Sequence, residues 1–166
     1  MKLKGSAYIF GNDINTDLII SGRYKFAITD MKELSKHIFE DIDPNFYKKL
    51  EPGKSIIVAG NNFGMGSSRE QAPLALKSAG IVAVVANSFA RIFYRNAFNI
   101  GLPLIETNTK GIKSADDLEL DLSKGTLLNV RSKKTAPIKP LPKIFTTLLS
   151  DGGIVNHFKK NRGINL

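Results

Sequence analysis

At 166 residues, with 42% hydrophobic and 23% charged, the chain has the material for one well-buried domain without disulfide or metal staples. It has no cysteine, which excludes disulfides, thiolate metal ligands and a cysteine nucleophile; its two histidines, His37 and His157, are too few and too scattered for a metal site. The formal charge of +9 raises nucleic acid as a partner, but the basic residues are dispersed and no RNA-stacking or helix-turn-helix signature accompanies them. A solvated basic surface facing anionic metabolites or an acidic protein is the reading adopted. The amino terminus lacks the apolar stretch of a signal peptide, and no run approaches the roughly 20 apolar residues that span a bilayer. A cytoplasmic protein with residues 1–166 in one domain is expected.

In chain order, residues 4–10 read as a first strand, broken by the turn signal Gly11-Asn12-Asp13. Ile14-Asn15-Thr16-Asp17 follows, then a short apolar run over residues 18–20. Asp13 and Asn15 fit either a turn that bonds its own backbone or the wall of a site. After a mixed basic and aromatic stretch over residues 23–28, Thr29-Asp30 opens a helix: Met31, Leu34, Ile38 and Phe39 recur at helical spacing, and Glu33 follows Asp30 by three. Pro44 starts a short helical turn through Tyr47 and Leu50.

Residues 55–59 form a strand-like run, and residues 71–79 a helical one ended by Gly80. The nearly all-apolar residues 81–86 predict a strand covered on both faces. Asn87-Ser88 is read as the cap of a helix over residues 89–99, and residues 102–106 as a further strand. This alternation predicts an α/β fold with a parallel core. Beyond it, Leu118-Glu119-Leu120-Asp121-Leu122 alternates, turns, and returns over residues 126–130 as a hairpin. Pro137, Pro140 and Pro142 suggest a linker, and helices are expected over residues 144–149 and 155–160.

Between the strand at residues 55–59 and the helix at residue 71 stands Gly60-Asn61-Asn62-Phe63-Gly64-Met65-Gly66-Ser67-Ser68-Arg69-Glu70. Strand, glycine-rich turn and helix together place backbone N–H groups beside an anion. A phosphate loop needs a lysine directly before its serine, and Gly66 stands there. A dinucleotide fingerprint needs a third glycine where Arg69 stands. A hydrolase elbow needs G-x-S-x-G, which Ser67 lacks, and a histidine base. Two readings remain. In one, Arg69 clamps a carboxylate and Ser67, at a helix start, carries a partly anionic oxygen able to abstract a proton. In the other, the stretch is a glycine-rich turn with capping serines and a surface arginine.

The loop through Ala72 closely resembles the signature loop of the aconitase swivel domain, and within that family the small subunits of 3-isopropylmalate dehydratase and homoaconitase. Two flanking blocks agree, Gly11-Asn12-Asp13-Ile14-Asn15-Thr16-Asp17 and Ser88-Phe89-Ala90-Arg91-Ile92-Phe93-Tyr94-Arg95-Asn96, so the resemblance covers nearly the whole chain. It implies an α/β fold of the swivelling β/β/α type, with a parallel strand–helix core and an added β-hairpin. It implies a hydro-lyase that isomerises a 2-hydroxy di- or tricarboxylic acid by dehydration and rehydration, foremost 2-isopropylmalate in leucine biosynthesis. A large subunit would hold a [4Fe–4S] cluster on three cysteines, and this chain would bind no metal. The family's catalytic serine falls on Ser67, its carboxylate-binding positions on Ser68 and Arg69, and an acidic site residue on Asp17.

The sequence departs from the family at Gln71, where histidine is common, and at Met65, where cysteine is frequent. Substrate choice is implied for Tyr24, Lys25, Phe26, Ala27 and Ile28: Phe26 facing the pocket suits an isopropyl group, Lys25 a further carboxylate. Homoaconitase and dimethylmalate dehydratase small subunits are the same-class alternatives. A non-catalytic anion- or RNA-binding α/β module is the alternative of another class.

Overall fold

The apolar runs near residues 4–10, 55–59, 81–86 and 102–106 become four neighbouring parallel strands: β1 (Lys2–Ile9), β2 (Ser55–Ala59), β3 (Ile81–Ala86) and β4 (Leu104–Glu106). The computed structural model describes residues 1–24, 27–66 and 70–163. Three antiparallel strands continue the sheet from the far side of β1: β5 (Asp117–Asp121), β6 (Thr126–Asn129) and β7 (Lys134–Pro137). The strand order is β4-β3-β2-β1-β5-β6-β7. Ile57 pairs with Tyr8 on one side and Val84 on the other, so β2 lies inside the sheet with all five residues buried.

Side chains alternate between two cores, as the pleat requires. Ala7, Ile56, Val58, Ala83, Val85, Ile105, Leu118, Leu120 and Leu127 pack together on one face, joined by Ile138. No helix contributes to this cluster, so the sheet covers it by curling on itself. The curl is tied where its ends meet. Thr107 Oγ1 donates to the Pro137 carbonyl at 2.7 Å, Lys139 N–H donates to the Glu106 carbonyl at 2.9 Å, and the Lys139 side chain pairs with Glu106.

The other face carries Ile57, Ala59, Val84, Ala86 and Leu104, and here the helices pack. They are α1 (Thr16–Ile19), α2 (Met31–Ser35), α3 (Phe46–Lys49), α4 (Gln71–Ser78), α5 (Arg91–Asn99), α6 (Lys143–Asp151) and α7 (Ile154–Asn161). Fully burying each large apolar side chain contributes about 1.5–3 kcal/mol, which explains why β2 and β3 read as almost unbroken apolar runs. No described helix is long and apolar enough to cross a membrane.

Several expectations are corrected. The hairpin of residues 118–130 is present as β5–β6, but a third strand, β7, extends it where a proline-punctuated linker was expected. Pro137 is tolerated because it ends an edge strand, where its missing N–H breaks no inner ladder. The apolar run at residues 18–20 is mostly helical: Asn15 accepts the Leu18 N–H at 2.8 Å and starts α1, which ends at Ile19. The helix after residue 88 starts two residues late, at Arg91, with no side-chain cap, because Asn87 and Ser88 are engaged elsewhere. At α2 the cap is as expected, Asp30 accepting the Glu33 N–H at 2.9 Å, but the helix stops at Ser35 and Phe39 turns to a φ of 55°.

Candidate active site

Loops leaving β1, β2, β3 and β4 gather at the carboxyl ends of those strands, where open parallel sheets commonly place ligands. Each loop is tied to its neighbours by backbone groups. From the first loop, Asp13 N–H donates to the Asn61 carbonyl at 2.9 Å and Thr16 N–H to that of Met65 at 2.9 Å. In return, Gly64 N–H donates to the Ile14 carbonyl at 2.7 Å and Gly60 N–H to that of Gly11 at 3.0 Å. On the far side, Asn87 N–H donates to Gly60, Phe63 N–H to Ser88, and Ala90 N–H to Phe63. Residues 60–66 therefore lie between the other two blocks like a short inner strand, with single bridges Asn15–Met65 and Phe63–Phe89.

Side chains lock the arrangement. Asn12 Oδ1 accepts the Asn61 N–H at 2.7 Å, and Asn62 Nδ2 donates to Asp13 Oδ1 at 2.9 Å. Ser88 Oγ accepts the Asn62 N–H at 2.8 Å. Thr109, after β4, places Oγ1 3.1 Å from both the Ala59 carbonyl and Asn87 Oδ1, and donates its N–H to Asn87 Oδ1 at 3.0 Å. Asp13 and Asn62 hold φ of 56° and 59°, values that Asn and Asp tolerate better than other side chains.

Two glycines are sterically required. A Cβ on Gly60 would stand 2.0 Å from Asn12 Oδ1, and one on Gly64, at φ 81°, 2.2 Å from Phe93 Cγ. Phe63 is wholly buried and meets Phe89 and Phe93 edge to face, with centroids 6.1 and 5.4 Å away. An aromatic floor thus supports a polar rim. Below it the Tyr94 hydroxyl is pushed up to about 12 by burial and the nearby Glu106 charge, so it stays protonated near neutral pH.

Asp17 is exposed in the first turn of α1, directly after Thr16, whose N–H is bonded to Met65. The first block therefore brings Asp17 beside the glycine-rich loop. Ser67, Ser68 and Arg69 lie outside the described residues, as do Lys25 and Phe26. Their flanks are defined: Gly66 precedes Ser67, and α4 begins at Gln71, with Glu70 supplying no side-chain cap. The amino end of α4, the positive end of its dipole, thus follows directly on residues 67–69. Tyr24 closes a short 3-10 turn, Gly22–Tyr24, and its carbonyl accepts the N–H groups of Ala27 and Ile28 at 3.2 and 3.0 Å. Among the described residues, no group of three His, Cys, Asp or Glu could hold a metal ion.

Sequence reading overlooked three contributors. Asn12 was seen only as part of a turn, and Ser88 as a helix cap; both instead bond the glycine-rich loop. Nothing marked Thr109, because its bonds exist only once β4 is beside β3. Of the two readings open for Asn15 and Asp13, Asn15 follows the one that bonds nearby backbone, as the cap of α1, whereas Asp13 reaches across to Asn62.

Comparison with known proteins adds a consistent set of likenesses. The profile of the aconitase C-terminal domain matches residues 13–109, a span that begins in the first loop block and ends at Thr109. The chain is 52% identical over 166 residues to 3-isopropylmalate dehydratase small subunit 2 of Archaeoglobus fulgidus, covering 100% of both chains. It is 50% identical over 157 residues to the 3-isopropylmalate dehydratase small subunit of Moorella thermoacetica, covering 93% of each. Among solved structures, 3-isopropylmalate dehydratase from Methanocaldococcus jannaschii matches with a TM-score of 0.93 at 48% identity, over 98% of this chain and 96% of that one.

Proposed function

The chain belongs to the aconitase C-terminal domain family, and on that premise we propose that it is the small subunit of a 3-isopropylmalate dehydratase, a cytoplasmic hydro-lyase that interconverts 2- and 3-isopropylmalate in leucine biosynthesis. The observation that carries this reading is the likeness to such small subunits over the entire length of both chains. The rim supports it, since the three blocks that mark the family are the stretches bonded together at the carboxyl ends of the parallel strands.

In this reading residues 1–166 are one swivel domain carrying half of a shared site. Moving a hydroxyl between adjacent carbons by elimination and re-addition requires a base for a carbon-bound proton and fixed partners for the carboxylates. Ser67 is the base: the α4 dipole and a neighbouring cation favour negative charge on its oxygen. Arg69 clamps a carboxylate with two parallel hydrogen bonds, Ser68 is a further carboxylate-binding position, and Asp17 lines the same site. Tyr24, Lys25, Phe26, Ala27 and Ile28 meet the remainder of the substrate and choose it.

This chain does not fit an iron–sulfur cluster, because it has no cysteine to bind one. The [4Fe–4S] cluster of the reaction, which would supply Lewis acidity, is therefore assigned to a large-subunit partner. Swivel action then means that this domain brings its rim to a site completed by the other chain.

The test is co-expression with a large subunit and an anaerobic hydratase assay on 2-isopropylmalate, 2,3-dimethylmalate, homoaconitate and citrate. Highest kcat/KM on 2-isopropylmalate is expected. A preference for homoaconitate or dimethylmalate would move the assignment within the family. Salt-sensitive RNA retention with no turnover of any of the four acids would overturn it.

A further inference from the structure

Behind the rim, five polar side chains from two stretches converge on the turn that precedes residues 25–28. The Tyr24 ring stacks on the His37 imidazole with centroids 3.9 Å apart and planes at 23°. His37 Nδ1 lies 2.6 Å from Glu40 Oε2. That hydrogen bond is the main reason the Glu40 carboxyl sits below its usual range, burial pushing the other way. Glu40 also bonds the Tyr24 hydroxyl, which is pushed up chiefly for that reason. Arg23 pairs with Asp41, and its guanidinium lies 5.3 Å from the Tyr24 ring centroid.

The backbone explains how these groups meet. Phe39 is wholly buried, stacked on Phe10 at 4.1 Å, and its φ of 55° turns the chain between His37 and the Glu40-Asp41 pair. Its N–H donates to the Ile19 carbonyl at 2.9 Å, tying this turn to the end of α1. The local core is formed by Leu34, Ile38 and Phe39, each at most 1% exposed, whereas the side chains of His37 and Glu40 are both 30% exposed. The cluster is thus not needed to fill the core. What it holds is Tyr24, whose carbonyl anchors Ala27 and Ile28.

We infer that His37 and Glu40 are positioning residues for substrate choice: by gripping Tyr24 they fix the carbonyl that anchors Ala27 and Ile28. The inference rests on the proposed role of that segment in selecting the hydroxy acid. Stacking limits the tilt of the Tyr24 ring, and the Glu40 carboxylate, bonded to ring and phenol at once, limits its rotation. Neither residue belongs to the glycine-rich loop, so their loss leaves the proton-abstracting half of the site in place.

The experiment uses His37→Ala, Glu40→Ala, Glu40→Gln and Tyr24→Phe, each reconstituted with the large subunit. The two alanine variants should raise KM for 2-isopropylmalate about tenfold, with kcat within about twofold, and should erode the preference for 2-isopropylmalate over citrate by a similar factor. Glu40→Gln keeps an acceptor oxygen for the phenol and an amide N–H that the neutral imidazole can accept, and should restore most of KM. Tyr24→Phe keeps the stack and should fall between. In parallel, amide exchange on the full chain by itself should be about tenfold faster at Tyr24, Ala27 and Ile28 in the alanine variants, with β2 and β3 unchanged. Unchanged exchange at those amides overturns the inference, as does unchanged KM and preference in a complex whose exchange has risen. An equal loss across the sheet amides also overturns it, since that marks a structural role. If the wild-type complex turns over none of the acids, the functional reading fails, and the exchange result alone decides whether His37 and Glu40 position the segment.

Discussion

One sheet carries two halves of different construction. From β1 to β4 the strands are parallel, the inner strands β2 and β3 are covered on both faces, and the carboxyl-end loops bond to each other through backbone and amide groups. From β5 to β7 the strands are antiparallel with tight connections; Glu119 and Asp117 pair with Lys4 and Ser6 of the neighbouring β1, and the Asp121 carboxylate accepts the N–H groups of its own turn. The parallel half spends its polar groups on holding loops of distant sequence origin in one rim. The antiparallel half uses its own to finish turns and close the curl. The candidate site lies where backbone from several strands is held in register, whereas closure joins the two halves through Thr107 with Pro137 and Glu106 with Lys139.

The largest effect expected from breaking this division is on the rim's chemistry. Ser67→Ala should lower kcat by about a thousandfold, within the usual span for losing a general base, while co-purification with the large subunit stays intact. Activity near wild type in an anaerobic assay would remove Ser67 as the base. Next comes the rim's frame. Gly64→Ala sets a Cβ against Phe93 at positive φ and should cost about 3 kcal/mol, read as a lower urea midpoint together with lost turnover.

The antiparallel half is sharpened by acid. Burial pushes the Asp116 carboxyl up, but the Lys113 N–H, Arg131 and Asn129 outweigh it and hold it below the ordinary carboxylate range. Arg131 Nε stands 2.5 Å from Asp116 Oδ1. A depressed value means that the stabilisation is complete above the unfolded value near 4 and is lost as pH falls through the folded one. Urea midpoints measured from pH 6 down to pH 2 should fall, and Asp116→Asn should flatten that fall. The smallest effect belongs to the closure itself: Thr107→Val removes the bond to Pro137 and should cost about 1 kcal/mol, with kcat unchanged. A large loss of turnover there would mean that the two halves are not separable.

Much of the fold was legible because β2 and β3 are buried on both faces. Ile56, Ile57 and Val58 cannot be mistaken for surface, and the Leu118/Leu120 alternation marks a strand with one wet face. β7 was not legible. Lys-Thr-Ala-Pro has no apolar signal, and it is a strand only because β6 offers an open edge and Thr107 meets Pro137. The candidate site was legible as three blocks of suggestive residues, and partly misread inside them. Ser88 looks like a helix cap because serine before an apolar stretch usually is one; here its oxygen serves the Asn62 N–H instead.

By itself the sequence determined what depends on neighbours along the chain: the period of the apolar strands, the cap at Asp30, and the absence of any thiolate for a cluster. Only the tertiary structure decided what depends on groups far apart. Asn12 meets Asn61 and Asp13 meets Asn62 across 49 positions. The curl closes between Thr107 and Pro137, and Tyr24 is held by His37 and Glu40. A hydrogen bond is satisfied by whichever partner the fold delivers, and a polar side chain carries no mark of which one that will be.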